Sequence, residues 1–234
     1  MTDFHIHILP DVDDGAANVS ESAIMLEVSA AQGITQVVAT PHYIPHRQSI
    51  KKFLKARKNA LNEILEEIVP PPGMEISLGA EVYIEQRLCE EILLPELTLA
   101  GSDYILLEPP YSSYKSWIED EIHNVIYGYK LTPVIAHIER YLSWYSKNDI
   151  ERLLNIEGIV LQVNAEAFSH RKLIKFVLSL IEDGRTVILG SDAHNMSSRP
   201  PKLDLAYDVL KARLDKSVFQ NFLTTNDELL GEYL

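Results

Sequence analysis

His5 and His7 stand two residues apart in the run FHIHI near the N-terminus. On an extended strand, alternate side chains leave the same face, so the two imidazoles project together. Such a pair is a starting point for a metal site, although packed or exposed His-x-His pairs are common and this one alone defines nothing. Residues of the same chemical kind recur where other short apolar runs end: His42 in ATPHY, Glu81 in LGAEV, Glu108 in YILLE, His137 in PVIAH, Asn164 and Glu166 in VNAEA, and Asp192 and His194 in GSDAH. Each has a bland alternative as a turn cap, a surface carboxylate or a core histidine bonded to backbone. Together, so many imidazoles and carboxylates among apolar strands would be costly to bury without cations to compensate them. Mixed nitrogen and oxygen donors suit Zn, Mn or Fe better than calcium, and their number calls for two or three ions. His46, His123 and His170 carry no such pattern and read as surface or packing residues, with His46 in a loop, IPHRQ, that can overhang the site.

The elements that must position these residues alternate. Strands are expected at 4–8, 34–40, 74–82, 104–108, 132–138, 158–166 and 186–194. Helices are expected between them: from a cap near Ser20 to Gly33, with Ile24, Leu26, Val28 and Ala31 on its apolar face; over 51–69 before the breaker PPPG; and over 113–129, 147–155, 170–183, 203–213 and 216–231. Strands alternating with helices call for parallel pairing with crossover helices, hence a barrel or an open doubly wound sheet. Neither GxGxxG nor a P-loop is present to favour the nucleotide-binding sheet, so an α/β barrel is expected. A parallel barrel carries its active site at the C-terminal ends of its strands, which is where the candidate ligands fall.

Composition narrows the function classes. The 234 residues are 46% hydrophobic and show no linker or internal repeat, which fits one domain over 1–234. A net charge of −13 offers no basic surface for nucleic acid. No segment approaches the length needed to span a bilayer and no cleaved signal is evident, so a cytoplasmic location without membrane insertion is expected. The lone cysteine, Cys89, excludes an internal disulfide and a thiolate zinc cluster. It also fails the pattern of cysteine-dependent tyrosine phosphatases, because the residue six positions on is Pro95 where a phosphate-cradling arginine is required.

Taken in order, FHIHILPDVDDG, VVATPHY, LGAEVYI, YILLEPP, PVIAHIERY and LGSDAHN resemble the polymerase-and-histidinol-phosphatase (PHP) superfamily, and within it the bacterial protein-tyrosine phosphatases of the CpsB/CapC type. The resemblance runs from residue 3 to about residue 200. It implies a distorted seven-stranded barrel holding up to three ions, usually manganese, with iron or zinc as alternatives. Carried over by motif, His5, His7, Glu81 and Asp192 would hold one ion. Glu81, as a bridge, with Glu108 and His137 would hold a second, and Asp14, His42 and His194 a third. Two departures stand out: His137-Ile138-Glu139-Arg140 lacks the proline usual in this motif, and the sixth strand ends in Asn164-Ala165-Glu166-Ala167 instead of small hydroxyl residues. Glu166 is read as pointing to solvent.

Ions of this kind hold phosphoryl oxygens and activate a water for in-line attack, with no protein nucleophile. Charge on the phosphoryl group also calls for a guanidinium fork, and Arg140 and Arg199 are the candidates by position after His137 and His194. The expected activity is metal-dependent hydrolysis of phosphotyrosine in a protein, such as the tail of a bacterial tyrosine kinase regulating capsule or exopolysaccharide synthesis. The alternatives are a small-molecule phosphomonoesterase such as a histidinol phosphatase, and a metal-binding, kinase-docking module without activity.

Overall fold

The computed structural model describes residues 1–230. Its strands are β1 (Thr2–Ile6), β2 (Gln36–Ala39), β3 (His42–Tyr43), β4 (Glu75–Leu78), β5 (Glu81–Tyr83), β6 (Tyr104–Glu108), β7 (Thr132–Ile135), β8 (Val160–Asn164) and β9 (Val187–Gly190). Every pairing among them is parallel, in the orders β1-β2-β4 and β3-β5-β6-β7-β8-β9. The result is an α/β fold around a curled parallel sheet. The ends of the curl approach one another: Ile6 bridges Ala193, His7 N donates to Ala193 O at 2.9 Å, and Asp192 N donates to His5 O at 2.7 Å.

Two expected strands differ. The strand expected at 34–40 is shortened to β2, with a break at Thr40-Pro41 before β3, and the one expected at 74–82 divides into β4 and β5 around Gly79-Ala80. Proline has no N–H for a ladder, which accounts for the first break. At the second, a Cβ on Gly79 would lie 2.9 Å from Leu99 Cδ2 and 3.2 Å from the Thr40 and Val38 methyls, so the glycine permits a close crossing. The strand expected at 186–194 also stops early, at Gly190, and leaves Asp192 and His194 on either side of the isolated bridge at Ala193.

Helices α1 (Val19–Ala31), α2 (Ile50–Glu67), α3 (Ser116–Asn124), α4 (Lys147–Leu154), α5 (Arg171–Glu182), α6 (Leu203–Arg213) and α7 (Lys216–Glu228) fill the expected intervals. The last residue of the final expected helix, 231, lies outside the described residues. The cap of α1 is Asn18, whose Oδ1 accepts from Glu21 N at 3.0 Å, and not Ser20. Its buried face is also different, with Val19, Ser22, Met25, Leu26 and Ser29 inside and Ile24 48% exposed. Ser22 is small enough to bring the helix close, and its hydroxyl donates to Ile8 O at 2.6 Å. Phe4, Val38, Leu106, Val134, Val160 and Ile188, one from each of six strands, pack in a cluster separate from the larger core beneath the helices. Ile6 belongs to that larger core, because the β1–β2 register slips between Asp3 and Ile6.

Candidate metal centre

The expected ligands converge. Donor atoms of His5, His7, Glu81 and Asp192, all buried, lie within 4.8 Å of one another. His7, His42 and His194 form a second such group, and His42, Glu81 and Glu108 a third. Glu81, first residue of β5, stands at the centre. Its Oε2 lies 3.2 Å from His5 Nε2, 3.4 Å from His7 Nε2 and 2.9 Å from His42 Nδ1, and its Oε1 lies 2.7 Å from His137 Nε2. His137 Nε2 is 3.6 Å from Glu108 Oε1. Asp14 is the most exposed of the set, with Oδ1 3.4 Å from His42 Nε2 and 3.6 Å from His194 Nε2.

The imidazoles are oriented by a second set of oxygens. His5 Nδ1 pairs with Gln162 Oε1 at 3.0 Å, His7 Nδ1 with Asp13 Oδ2 at 2.7 Å, and His194 Nδ1 with the Asp192 carbonyl at 3.0 Å. In a neutral imidazole, a proton held on Nδ1 would leave Nε2 as a bare lone pair. The Nε2 atoms of His5 and His7 face each other at 3.0 Å. The Nε2 of His194 is buried with no hydrogen-bond partner, and the Oε2 of Glu81 is buried among three imidazole nitrogens at 2.9–3.4 Å. Lone pairs turned toward one another in a dry site repel unless a cation lies between them, so this donor set fits divalent metal ions.

Electrostatics follow from the same crowding. Burial lifts the Glu108 carboxyl to about 8, with the charge of Glu81 adding to the effect. Burial works against a charged His42, but the Glu81 carboxylate prevails and raises it to about 9. Burial lowers His194 to about 3, reinforced by His7. Two residues of the cluster, His137 and Asp192, hold φ values of 32° and 50°, a left-handed backbone that non-glycine residues adopt at a cost and that concentrates at functional sites.

Arg140 and Arg199 both reach the cluster through Asp192. Arg140 binds its Oδ2 at 2.6 Å and Arg199 its Oδ1 at 2.8 Å. They are therefore not independent of the ligand set, and each remains about one-third exposed, at 31% and 34%, toward solvent. Glu166 is exposed beside them. His46 pairs with Glu85 at 2.7 Å away from the cluster. Cys89 lies in a short 3₁₀ turn, and burial with the nearby Glu121 pushes its thiol up to about 12.

Sequence reasoning missed Asp13 and Gln162, and named Asn164 at a strand end without its role. Asp13 pairs with His7, and its Oδ2 also accepts from His42 N at 2.8 Å. Gln162 and Asn164, alternate residues of β8, form a chain: Gln162 Nε2 donates to Asn164 Oδ1 at 2.9 Å, and Asn164 Nδ2 donates to Asp192 Oδ2 at 2.7 Å. The signal for the latter pair was present, since two amides at period two in an apolar strand must find partners on one face.

Residues 1–230 match the family described as Capsular polysaccharide synthesis, CpsB/CapC. The chain belongs to that family. The tyrosine-protein phosphatase CpsB of Streptococcus pneumoniae is 33% identical over 226 residues, covering 90% of this chain and 89% of the relative. The tyrosine-protein phosphatase YwqE of Bacillus subtilis (strain 168) is 32% identical over 242 residues, covering 98% and 91%. Crystal structures of YwqE from B. subtilis and CpsB from S. pneumoniae, described as unique metal-dependent tyrosine phosphatases, provide a match with a TM-score of 0.81 at 27% identity, covering 100% of this chain and 95% of that one. Histidinol phosphate phosphatase from Lactococcus lactis matches with a TM-score of 0.53 at 14% identity and shares the fold. The CpsB/CapC membership expected from the motif blocks is thus borne out over nearly the whole chain.

Proposed function

We propose that this CpsB/CapC-family chain is a metal-dependent tyrosine-protein phosphatase, acting on a phosphotyrosine-bearing protein such as a bacterial tyrosine kinase of capsule or exopolysaccharide synthesis. The observation that carries the reading is the convergence of bare imidazole nitrogens and Glu81 Oε2 beside two partly exposed arginines. We read the strands as seven staves, with β2/β3 and β4/β5 each one broken stave, forming one domain over 1–234 with the site at their C-terminal ends. His5, His7, Glu81 and Asp192 would hold one ion; Glu81, Glu108 and His137 a second; Asp14, His42 and His194 a third, with manganese the expected metal.

Bound divalent ions supply coordination of the phosphoryl oxygens and a more acidic water for in-line attack on phosphorus. The chain's own residues prepare that chemistry. Gln162, Asp13 and the Asp192 carbonyl fix the tautomers of His5, His7 and His194, so that nitrogen lone pairs and not N–H groups face the cluster. Arg140 and Arg199, held beside Asp192, offer their remaining N–H groups to the phosphoryl oxygens. A phenolate leaves with a conjugate-acid pKa near ~10, so little help from a general acid is needed. No helix of the described residues is long and apolar enough to cross a membrane, in keeping with the cytoplasmic location we propose. The test is the purified protein with added manganese, assayed in parallel on a phosphotyrosine peptide and on histidinol phosphate. Faster turnover of the peptide, abolished by a chelator, supports the reading; preference for histidinol phosphate refutes it.

A further inference from the structure

On the side of the cluster formed by His42, Asp14 and Glu108, a cavity of about 610 Å³ opens to solvent. Its walls include the part-buried side chains of Val12, Ile44 and Tyr83, and Arg47 stands in its lining. Apolar walls beside a phosphoryl-binding cluster suit an aromatic ring. The volume, however, falls within the roughly 300–1,000 Å³ of pockets that take whole drug-sized ligands, more than one phenol ring fills. Whatever carries the ring therefore enters too, and Arg47 is positioned to meet it. Its guanidinium is exposed and, among the described residues, pairs with no carboxylate, whereas Arg140 and Arg199 are engaged by Asp192. The nearby Glu85 is taken by His46. In a chain of net charge −13, an unpaired cation lining the substrate cavity stands out against the prevailing sign.

We infer that this cavity receives the phosphotyrosine ring against Val12, Ile44 and Tyr83, and that Arg47 selects a negatively charged side chain next to that phosphotyrosine. The inference rests on the phosphatase reading above and adds a sequence preference to it. An exposed arginine–carboxylate contact contributes modestly to affinity and more clearly to discrimination between partners of opposite charge.

The test uses the manganese-loaded full chain and phosphotyrosine peptides flanked on both sides by Asp, Asn or Lys. Both kcat/KM and equilibrium binding of the matching non-hydrolysable phosphonate peptides are measured. The parent should favour Asp over Lys about three- to tenfold in each measurement. Arg47→Glu should reverse the order, and Arg47→Ala should bring the Asp-to-Lys ratio to one or below. Ratios within one variant cancel any change in its overall activity. Hydrolysis of all peptides with the parental ratio preserved in Arg47→Glu overturns the inference and leaves the phosphatase reading intact. Arg47-dependent selection among phosphonate peptides, with no phosphopeptide hydrolysed by the parent, upholds the binding site and overturns the phosphatase reading instead.

Discussion

Replacing Gln162 with leucine should weaken metal binding without touching a proposed ligand. Gln162 is fully buried, and its Oε1 accepts from His137 N at 2.7 Å and pairs with His5 Nδ1 at 3.0 Å. Leucine is of similar size, so little cavity is created, but two donors lose their acceptor. The His137 N–H is a backbone group with no alternative, and an unsatisfied buried donor costs about 1–3 kcal/mol, which sets the expected loss of stability. His5 has an escape: its proton can move from Nδ1 to Nε2, the atom 3.2 Å from Glu81 Oε2 and 3.6 Å from Asp192 Oδ1. That relieves the orphaned donor and blocks the lone pair needed for a metal. Loss of such an orienting partner lowers metal affinity by roughly 10–100-fold. Gln162→Glu keeps an acceptor for both donors and loses only the bond to Asn164, so it should lose less affinity than the leucine variant. Competition with a chelator measures manganese affinity, and thermal unfolding with and without manganese separates affinity from stability. A folded Gln162→Leu protein that binds manganese within threefold of the parent would refute tautomer control by this amide.

Gly190→Ala drives a Cβ into His5 Cβ and to 2.7 Å from Gln162 Nε2, so it should displace His5, cost about 1–3 kcal/mol by overpacking and lower manganese affinity in calorimetry. Glu81→Ala should reduce bound metal, measured by elemental analysis, more than any other single ligand change, because four imidazoles surround that one carboxylate. Arg199→Ala and Arg140→Ala should each lower kcat/KM by roughly one to three orders of magnitude, equivalent to about 1.5–4 kcal/mol, with Arg140→Lys recovering only part. Metal content is measured alongside, since both guanidiniums pair with Asp192. Cys89→Ser should leave turnover near the parental level. With the thiol raised to about 12, it is protonated at all lower pH, so the thiolate fraction at pH 8 is on the order of 10⁻⁴, against about 0.2 for an ordinary thiol. Iodoacetamide labelling should therefore rise about tenfold per pH unit above 8, and rapid labelling at pH 7 contradicts this.

The centre was legible because its chemistry is written at the ends of apolar runs, where a helix core or a surface would not concentrate imidazoles. His5, His7, Glu81, Asp192 and their neighbours could be read one strand at a time, and their meeting followed from parallel pairing. What lies behind them was less visible. Asp13 and Asp14 are adjacent acids before a glycine, and only the folded turn decides which one reaches His7. Gln162 and Asn164 are neutral and lie in the middle and at the end of a strand, so their role depends on which strands flank β8. The break at Pro41 follows from proline's missing N–H, whereas the one at Gly79 arises from a close crossing, a matter of tertiary packing that a hydrophobic run conceals. The buried face of α1 was misplaced for a similar reason: two serines sit inside it because the helix packs closely, which outweighs the apolar period.

The approach of β1 to the segment after β9 has a consequence for how the site assembles. Asp3 Oδ1 accepts from Ser191 N, 188 positions along the chain, His5 O accepts from Asp192 N, and His7 N donates to Ala193 O. The two ends of this long stretch must meet before these bonds and the four-donor group completed by Asp192 exist. Before that closure, the imidazoles of β1 and the carboxylates of the middle strands lack the partner that joins them. High-affinity manganese uptake should thus begin only when the segment carrying Asp192 docks on β1, making metal loading a report on closure of the sheet. Refolding with manganese, followed by metal uptake and by hydrogen exchange at the His7 and Asp192 amides, would show whether the two events coincide.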